Sequence, residues 1–272
     1  MRGTSRASLG AAKHRLDAAL PGDSVAQWTQ LGEELFAVVG LLDREPGLRR
    51  ALSDPSRDPA ARSGLAIALL DGKISAVALE QVSALVAGRW SASADLADAS
   101  EELAVIAMAK AADADGALDE TEDALFRFGR IVAANPGLRS ALSNQFAPAA
   151  ARQAVVTDLL EGKVAGPALR LITQAAGYPR GRSLDASLDA YARLAAELRE
   201  RLVAEVRVAT VLTDAQRDRL ATSLAAVYGR HVHVNIVLDP EVIGGMSVRI
   251  GDQLINGTAV SRLADLRRRL SA

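Results

Sequence analysis

A mainly α-helical chain is predicted, in which an N-terminal helical-bundle region built on a duplication of about ninety residues is followed by a small C-terminal α/β domain. Three observations predict it. Residues 35–79 and 125–169 repeat one another at a fixed offset of ninety, with 18 identities in 45 positions. Apolar residues before residue 200 recur at helical spacing between Pro and Gly stops, whereas strict alternation begins only in the last seventy residues. The chain has 272 residues, 49% of them hydrophobic and only 3% aromatic, which suits two or three domains with broad Ala/Leu faces. The domains read as 1–112, a first helical unit; 113–202, its duplicate; and 203–272, a strand-helix-hairpin-helix domain.

The first element is a helix over Ser8–Leu20. Leu9, Ala12, Leu16, Ala19 and Leu20 form its apolar stripe, and Pro21-Gly22 ends it. Arg2, Arg6, Lys13 and Arg15 occur with no acid before Asp17, a pattern shared with organellar transit peptides; the stripe favours an ordinary amphipathic helix.

The repeat sets the order of the next elements. It preserves Leu-Phe (35–36, 125–126), Pro-Gly-Leu-Arg (46–49, 136–139), Ala-Leu-Ser (51–53, 141–143) and Ala-Ala-Arg (60–62, 150–152). Leu-Leu (69–70, 159–160), Gly-Lys (72–73, 162–163) and Ala-Leu (78–79, 168–169) recur in step. Each copy should hold a long helix up to Pro46 or Pro136, a one-turn helix at Leu48 or Leu138, and a helix to Leu70 or Leu160. Gly72-Lys73 and Gly162-Lys163 close that last helix, and another runs to Trp90 or Ala176. A helix from Ala92 to about Ala112 links the copies, and one from Leu184 to Leu202 leads out of the second.

The C-terminal region is built differently. Val232, Val234, Ile236 and Leu238 alternate with His231, His233, Asn235 and Val237 as one apolar face of a half-buried strand does. Thr213-Asp-Ala-Gln216 has capping-box spacing, so a helix starts there and runs to about Tyr228. Gly244 and Gly245 permit a tight turn into Met246–Ile250. Gly251-Asp252 reverses the chain before Leu254-Ile255, and Asn256-Gly257 precedes a last helix capped by Thr258.

This ordered set resembles the C-terminal part of the delta subunit of bacterial F-type ATP synthases, the oligomycin-sensitivity-conferring protein family. The strand Val206-Arg-Val-Ala209, the capped helix, Asp239-Pro240, Ile243-Gly244-Gly245 and Ile250-Gly251-Asp252 carry the likeness over about a quarter of the chain. Asn256 and Thr258 stand where Asp and Ser are usual, and both keep the turn and cap chemistry. The resemblance implies a non-catalytic stator subunit with no cofactor, one copy per complex, at the cytoplasmic face of the bacterial plasma membrane. It would join the catalytic head, through the alpha or the alpha and beta subunits, to the stalk b subunits, and resist rotor torque. Family members have one six-helix domain before the C-terminal part; the extra ninety-residue block accounts for the greater length here. That helical domain is similar to a clamp holding the alpha subunit's N-terminal helix between its first and fifth helices. Two fifth helices exist here, Ile74–Trp90 and Gly166–Ala176. The expected clamp lies in the first copy, on Leu9, Ala12, Leu16, Ala19, Leu20, Val77, Val82 and Leu85.

Other chemistries find little support. The chain has no cysteine, so no disulfide, thiolate nucleophile or cysteine metal site. Its longest apolar run falls well short of the ~18 residues of a membrane span, and a net charge of −1 gives no global attraction for nucleic acid. Asp113, Asp115, Gly116, Asp119 and Glu122 match places of a calcium loop, but Ala111 replaces its first ligand, so a solvated turn with Asp119 as a cap is the better reading. His231 and His233 share one strand face and lack further ligands nearby. The basic tail around Arg267-Arg268-Arg269 suits a helix C-terminus. Neither a serine nucleophile elbow, a Walker loop nor a Rossmann fingerprint occurs. The competing reading is a helical-repeat adaptor or regulator unrelated to ATP synthase.

Overall fold

The computed structural model describes residues 3–17, 19–20, 24–144, 146–201, 203–210, 212–228, 233–239, 242, 245–250 and 253–256. The chain divides into two compact units, Met1–Ala195 and Ala196–Ala272. Both copies of the repeat therefore lie in the first unit.

Helices α1 (Gly3–Asp17), α2 (Val25–Arg44), α3 (Pro46–Ser53), α4 (Pro59–Leu70), α5 (Ala76–Ala87) and α6 (Ser93–Ala114) make the first set. Helices α7 (Leu118–Ala134), α8 (Pro136–Ser143), α9 (Ala149–Leu160), α10 (Gly166–Gly177) and α11 (Leu184–Arg201) come next. At an offset of ninety, α2 to α5 fall on α7 to α10 with last residues in the same register, and Gly3 falls on Ser93. The linking helix expected over Ala92–Ala112 is thus the first helix of the second copy as well as the sixth of the first.

Several boundaries differ from the sequence expectation. Helix α1 spans Gly3–Asp17 rather than Ser8–Leu20, because distant partners hold its first turns. The Ser5 hydroxyl donates to Asp95 Oδ2 at 2.7 Å and accepts from the Ser91 amide at 2.8 Å; Ser8 Oγ accepts from the Arg89 amide at 3.0 Å. Helices α3 and α8 have eight residues instead of one turn, each with Pro at the first position, where no amide proton is needed. Trp90 lies beyond the end of α5.

Other expectations hold in detail. Gly72 and Gly162 adopt φ of +70° and +72°, and the following lysine amides donate to Leu70 and Leu160 carbonyls, both at 2.9 Å. Each lysine Nζ then donates to a further carbonyl of the last turn, Leu69 or Leu159. Repeated Arg62 and Arg152 are buried and serve the same end in both copies. Arg62 donates to Gly88 and Ala87 carbonyls at 2.7 and 3.2 Å, Arg152 to Gly177 and Ala176 carbonyls at 2.7 and 2.8 Å. A buried guanidinium thereby satisfies the orphan carbonyls where α5 and α10 end.

Helix α6 is the core of the unit. From Leu103 to Ala112 every residue is buried, as are Leu96, Ala97, Ala99, Ser100 and Glu101. A helix apolar around its whole circumference is stable only when packed on all sides, and its alanines let neighbours approach closely. On α2 the matching small residue is Gly32, where a Cβ would stand 2.7 Å from Met108 Cε and 3.3 Å from the Ala104 carbonyl oxygen. The turn after α6 closes on itself: Gly116, at φ +70°, donates to Asp113 O, and Ala117 donates to Ala112 O at 2.7 Å. Asp119 sits inside the first turn of α7; Ala117 occupies the N-cap position expected for it.

Glu101 is the one acid buried in this helix, at 2% exposure. It accepts from Arg180 Nη1 at 2.7 Å, Arg182 Nη2 at 2.5 Å and Tyr191 Oη at 2.5 Å. Arg180 also reaches Asp43 Oδ2 at 2.8 Å and Asp98 Oδ1 at 3.0 Å. The cluster ties α2, α6, α11 and the α10–α11 loop together. Burial acts to lower the Arg180 pKa, but the carboxylates of Glu101, Asp43 and Asp98 outweigh it and raise it above its ordinary value. Burial raises the Asp98 carboxyl despite Arg180. Tyr191 lies well above the usual phenol range, through burial first and the Glu101 charge second.

In the second unit the described strands form one sheet in the order β2-β1-β3-β4. β1 (Val203–Val208) pairs parallel with β2 (His233–Leu238) and antiparallel with β3 (Met246–Ile250), which pairs antiparallel with β4 (Gln253–Asn256). The parallel pair requires a crossover, supplied by α12 (Asp214–Tyr228). Its capping box forms as expected: the Gln216 amide donates to Thr213 Oγ1 at 3.3 Å, and the Thr213 amide donates to Gln216 Oε1 at 2.9 Å. Val206, Val208, Leu224 and Val248 make the core. Gly245 has φ +88°, which only glycine adopts without strain. Asn256 ends β4; Gly244, Gly251, Asp252, Gly257, His231 and the last helix lie outside the described residues.

This packing has three measurable consequences. Gly32→Val should destabilise the unit by about 1–3 kcal/mol in urea unfolding, the usual range for overpacking. Glu101→Ala, which takes from Arg180, Arg182 and Tyr191 the acceptor they share while leaving Arg180 paired with Asp43 and Asp98, should cost about 1–3 kcal/mol in the same assay. Tyr191, whose native pKa is raised, contributes its full stabilisation below the unfolded tyrosine value of about 10 and loses it as pH rises above that. Urea midpoints measured between pH 9 and 11 should therefore fall less steeply in Tyr191→Phe than in the unaltered chain.

Candidate helix-docking site

Each copy places its first and fifth helices side by side, and the two resulting seams are equivalent in helix order and unlike in exposure. The seam between α6 and α10 is covered by α2. Arg170 on α10 donates from Nε to Glu33 Oε1 at 2.5 Å, and its guanidinium lies 4.7 Å from the centroid of the Phe36 ring. Arg180, just past α10, holds Asp43 at the far end of α2. Between these points Gly32 brings the α2 backbone onto Ala104 and Met108 of α6. Ala97, Glu101 and Ala104, along the outer row of α6, are consequently 0%, 2% and 0% exposed.

Shifting each of these positions back by ninety gives the outer row of α1: Ala7, Ala11 and His14. All three are exposed. On α5 the counterparts of Pro167, Arg170 and Gln174 are Val77, Glu80 and Ala84. Gln174 is 3% exposed, whereas Ala84 is half-buried; Glu80 is exposed where Arg170 is partly covered. The first seam thus has walls at the same places in the helix order as the second, and among the described residues its outer row is exposed. Beneath it α1 is fixed by the Lys13–Glu102 and Lys110–Asp17 ion pairs, at 2.5 and 2.9 Å, and by the Ser5 and Ser8 bonds. Lys110 also stacks over Trp28 at 4.9 Å.

The expected contact residues fall mostly below this surface. Leu9, Ala12, Leu16, Val82 and Leu85 are buried, between 0% and 9% exposed, and join α1 to α5 within the core. Val77 is half-buried on the seam, and Ala19 and Leu20 are half-buried just past the end of α1. An apolar stripe reports which face a helix buries in its own domain, and here it lies at the joint between α1 and α5. Ala7, Ala11 and Glu80 carry no such mark in the sequence. What could have pointed to them is the ninety-residue offset, had the buried partner row on α6 been known.

The family model described as ATP synthase delta (OSCP) subunit matches residues 104–270, from within α6 through the second copy and the α/β unit. ATP synthase subunit delta of Streptomyces avermitilis is 49% identical over 270 residues, which cover 99% of this chain and 98% of that one. Those of Streptomyces griseus and Thermobifida fusca are 47% and 44% identical and are each covered end to end, as is this chain. A family match over more than half of the residues, and relatives this similar along the full length, place the chain in the ATP synthase delta (OSCP) subunit family.

Proposed function

We propose that the chain works as the non-catalytic peripheral-stalk subunit of a proton-translocating F-type ATP synthase, joining the catalytic head to the b subunits and resisting rotor torque. The observation that carries the reading, beside family membership, is the bare α1–α5 seam, which is built like one that already holds a helix. The N-terminal helix of a head alpha subunit would lie there as an added member of the bundle. Leu9, Ala12, Leu16, Val82 and Leu85 would brace the two walls from beneath, with Val77, Ala19 and Leu20 at the rim and Ala7, Ala11 and His14 against the guest. A helix seated along several turns spreads a reversing load over many small contacts, which suits a joint stressed at every catalytic step.

The 196–272 unit would take the ends of the b subunits, and the second copy would lengthen the lever between the two attachments. One copy would serve each complex, at the cytoplasmic face of the bacterial plasma membrane, with the alpha or the alpha and beta subunits contacted at the head. Among the described residues no helix is long and apolar enough to cross a membrane, so attachment would come through the complex.

Calorimetric titration with a peptide of the N-terminal twenty-odd residues of the same organism's alpha subunit tests the reading. One peptide should bind per chain, and Ala11→Trp, which fills the seam from an exposed position, should weaken binding at least about tenfold, a loss of about 1.4 kcal/mol. A folded chain that binds no peptide would refute the assignment of the seam.

A further inference from the structure

We infer that, among the described residues, the helical unit offers one open helix seam and not two, because α2 closes the other from within, and that the open seam selects a helix bearing a cation opposite Glu80. The inference rests on the stator reading only for the identity of the partner; its physical content lies in the difference between the two copies. Where α10 presents Arg170 to Glu33 of the covering helix, α5 presents Glu80. Gln174, which accepts from Arg170 Nη1 at 3.0 Å, is replaced by Ala84, so Glu80 is the one charged side chain on α5. A helix seated here as α2 is seated on α6 and α10 would bring its Glu33-equivalent position to a carboxylate. Lysine or arginine at that position is attracted, and an acid is repelled. Arg15, standing where Val105 is fully buried, is a further charge near the α1 wall. The surface is therefore not uniformly acidic, and the discrimination falls to the single position.

Another copy of this chain is a poor occupant for the same reason. The counterpart of α2 in the second copy is α7, whose outer face is bare: Phe126, the counterpart of the buried Phe36, is 58% exposed, and Ile131 is 48% exposed. By the repeat's own geometry this face would cover the α1–α5 seam of a second molecule, and an interface of that head-to-tail kind does not close on itself. At the critical position, however, α7 carries Asp123, paired with Arg127. Asp123 would meet Glu80, like charge against like. A foreign helix with a cation at that position meets no such opposition.

The test is a charge-exchange cycle on the full chain. Two fluorescent peptides copy residues 25–44, one with the native Glu33 and one with Glu33→Lys; each is titrated by anisotropy against the unaltered chain and against Glu80→Arg. Neither peptide can enter the α6–α10 seam without displacing α2. The unaltered chain should take one equivalent of the Lys peptide about fivefold more tightly than the Glu peptide, and Glu80→Arg should reverse the order. Binding of two equivalents, absence of any preference, or no saturable binding by a folded chain would overturn the inference, as would concentration-dependent self-association of the unaltered chain in sedimentation. The alpha-subunit peptide is run alongside: if the cycle behaves as expected while that peptide fails to bind, the seam stands and the stator assignment of its guest falls. If that peptide binds and the cycle shows no preference, the charge rule falls and the stator reading stands.

Discussion

The helical unit depends on a single constraint, the burial of α6 along nearly its whole length. A helix with alanine, leucine, valine and methionine on every face cannot be left with a wet side, so both copies must pack on it at once. That requirement converts a tandem duplication into one compact unit with a shared member. Were α6 amphipathic in the ordinary way, the copies could have separated into two small bundles, each with a surface of its own. Glu101 adds orientation to this apolar packing: a carboxylate buried to this extent needs its donors, and those donors come from beyond α10 and from α11. The pairing therefore specifies how the second copy closes around α6, while the apolar area supplies most of the stabilisation.

Sharing a helix makes the two copies inequivalent despite their sequences. The outer row of α1 is exposed, whereas its counterpart on α6 is buried under α2, a helix of the first copy. An array of such units carries one bare seam at its start and one bare covering face at its end, which is the general condition of stacked repeats. Here the start presents small residues and Glu80, and the end presents Phe126 and Asp123. On the proposed seating, like charges at the two ends would oppose the stacking of one molecule on another and leave the first seam to a helix of another kind.

Some of this was legible in the residues. The Gly-Lys closures, the capping box at Thr213 and the alternation in β2 and β3 are local chemistry, set by backbone conformation and hydrogen bonding within a few positions, and they appear where the spacing predicts. The boundaries of α1 were less legible, since Ser5 and Ser8 are held by residues more than eighty positions away. Arg62 and Arg152 show the intermediate case: the repeat marked both, while their task of closing the carbonyl ends of α5 and α10 required the fold to be seen.

By itself the sequence determined the class of the fold, the ninety-residue period and the family, because each rests on short-range patterns and on ordered motifs read along the chain. Which face of each helix remains open was decided only by tertiary packing. An apolar stripe is the same string of letters whether it meets its own domain or a partner, and Leu9, Leu16 and Leu85 proved to be interior. The exposed row instead consists of alanines, a histidine and one glutamate that have no period of their own, and among the described residues no helix covers it as α2 covers its counterpart.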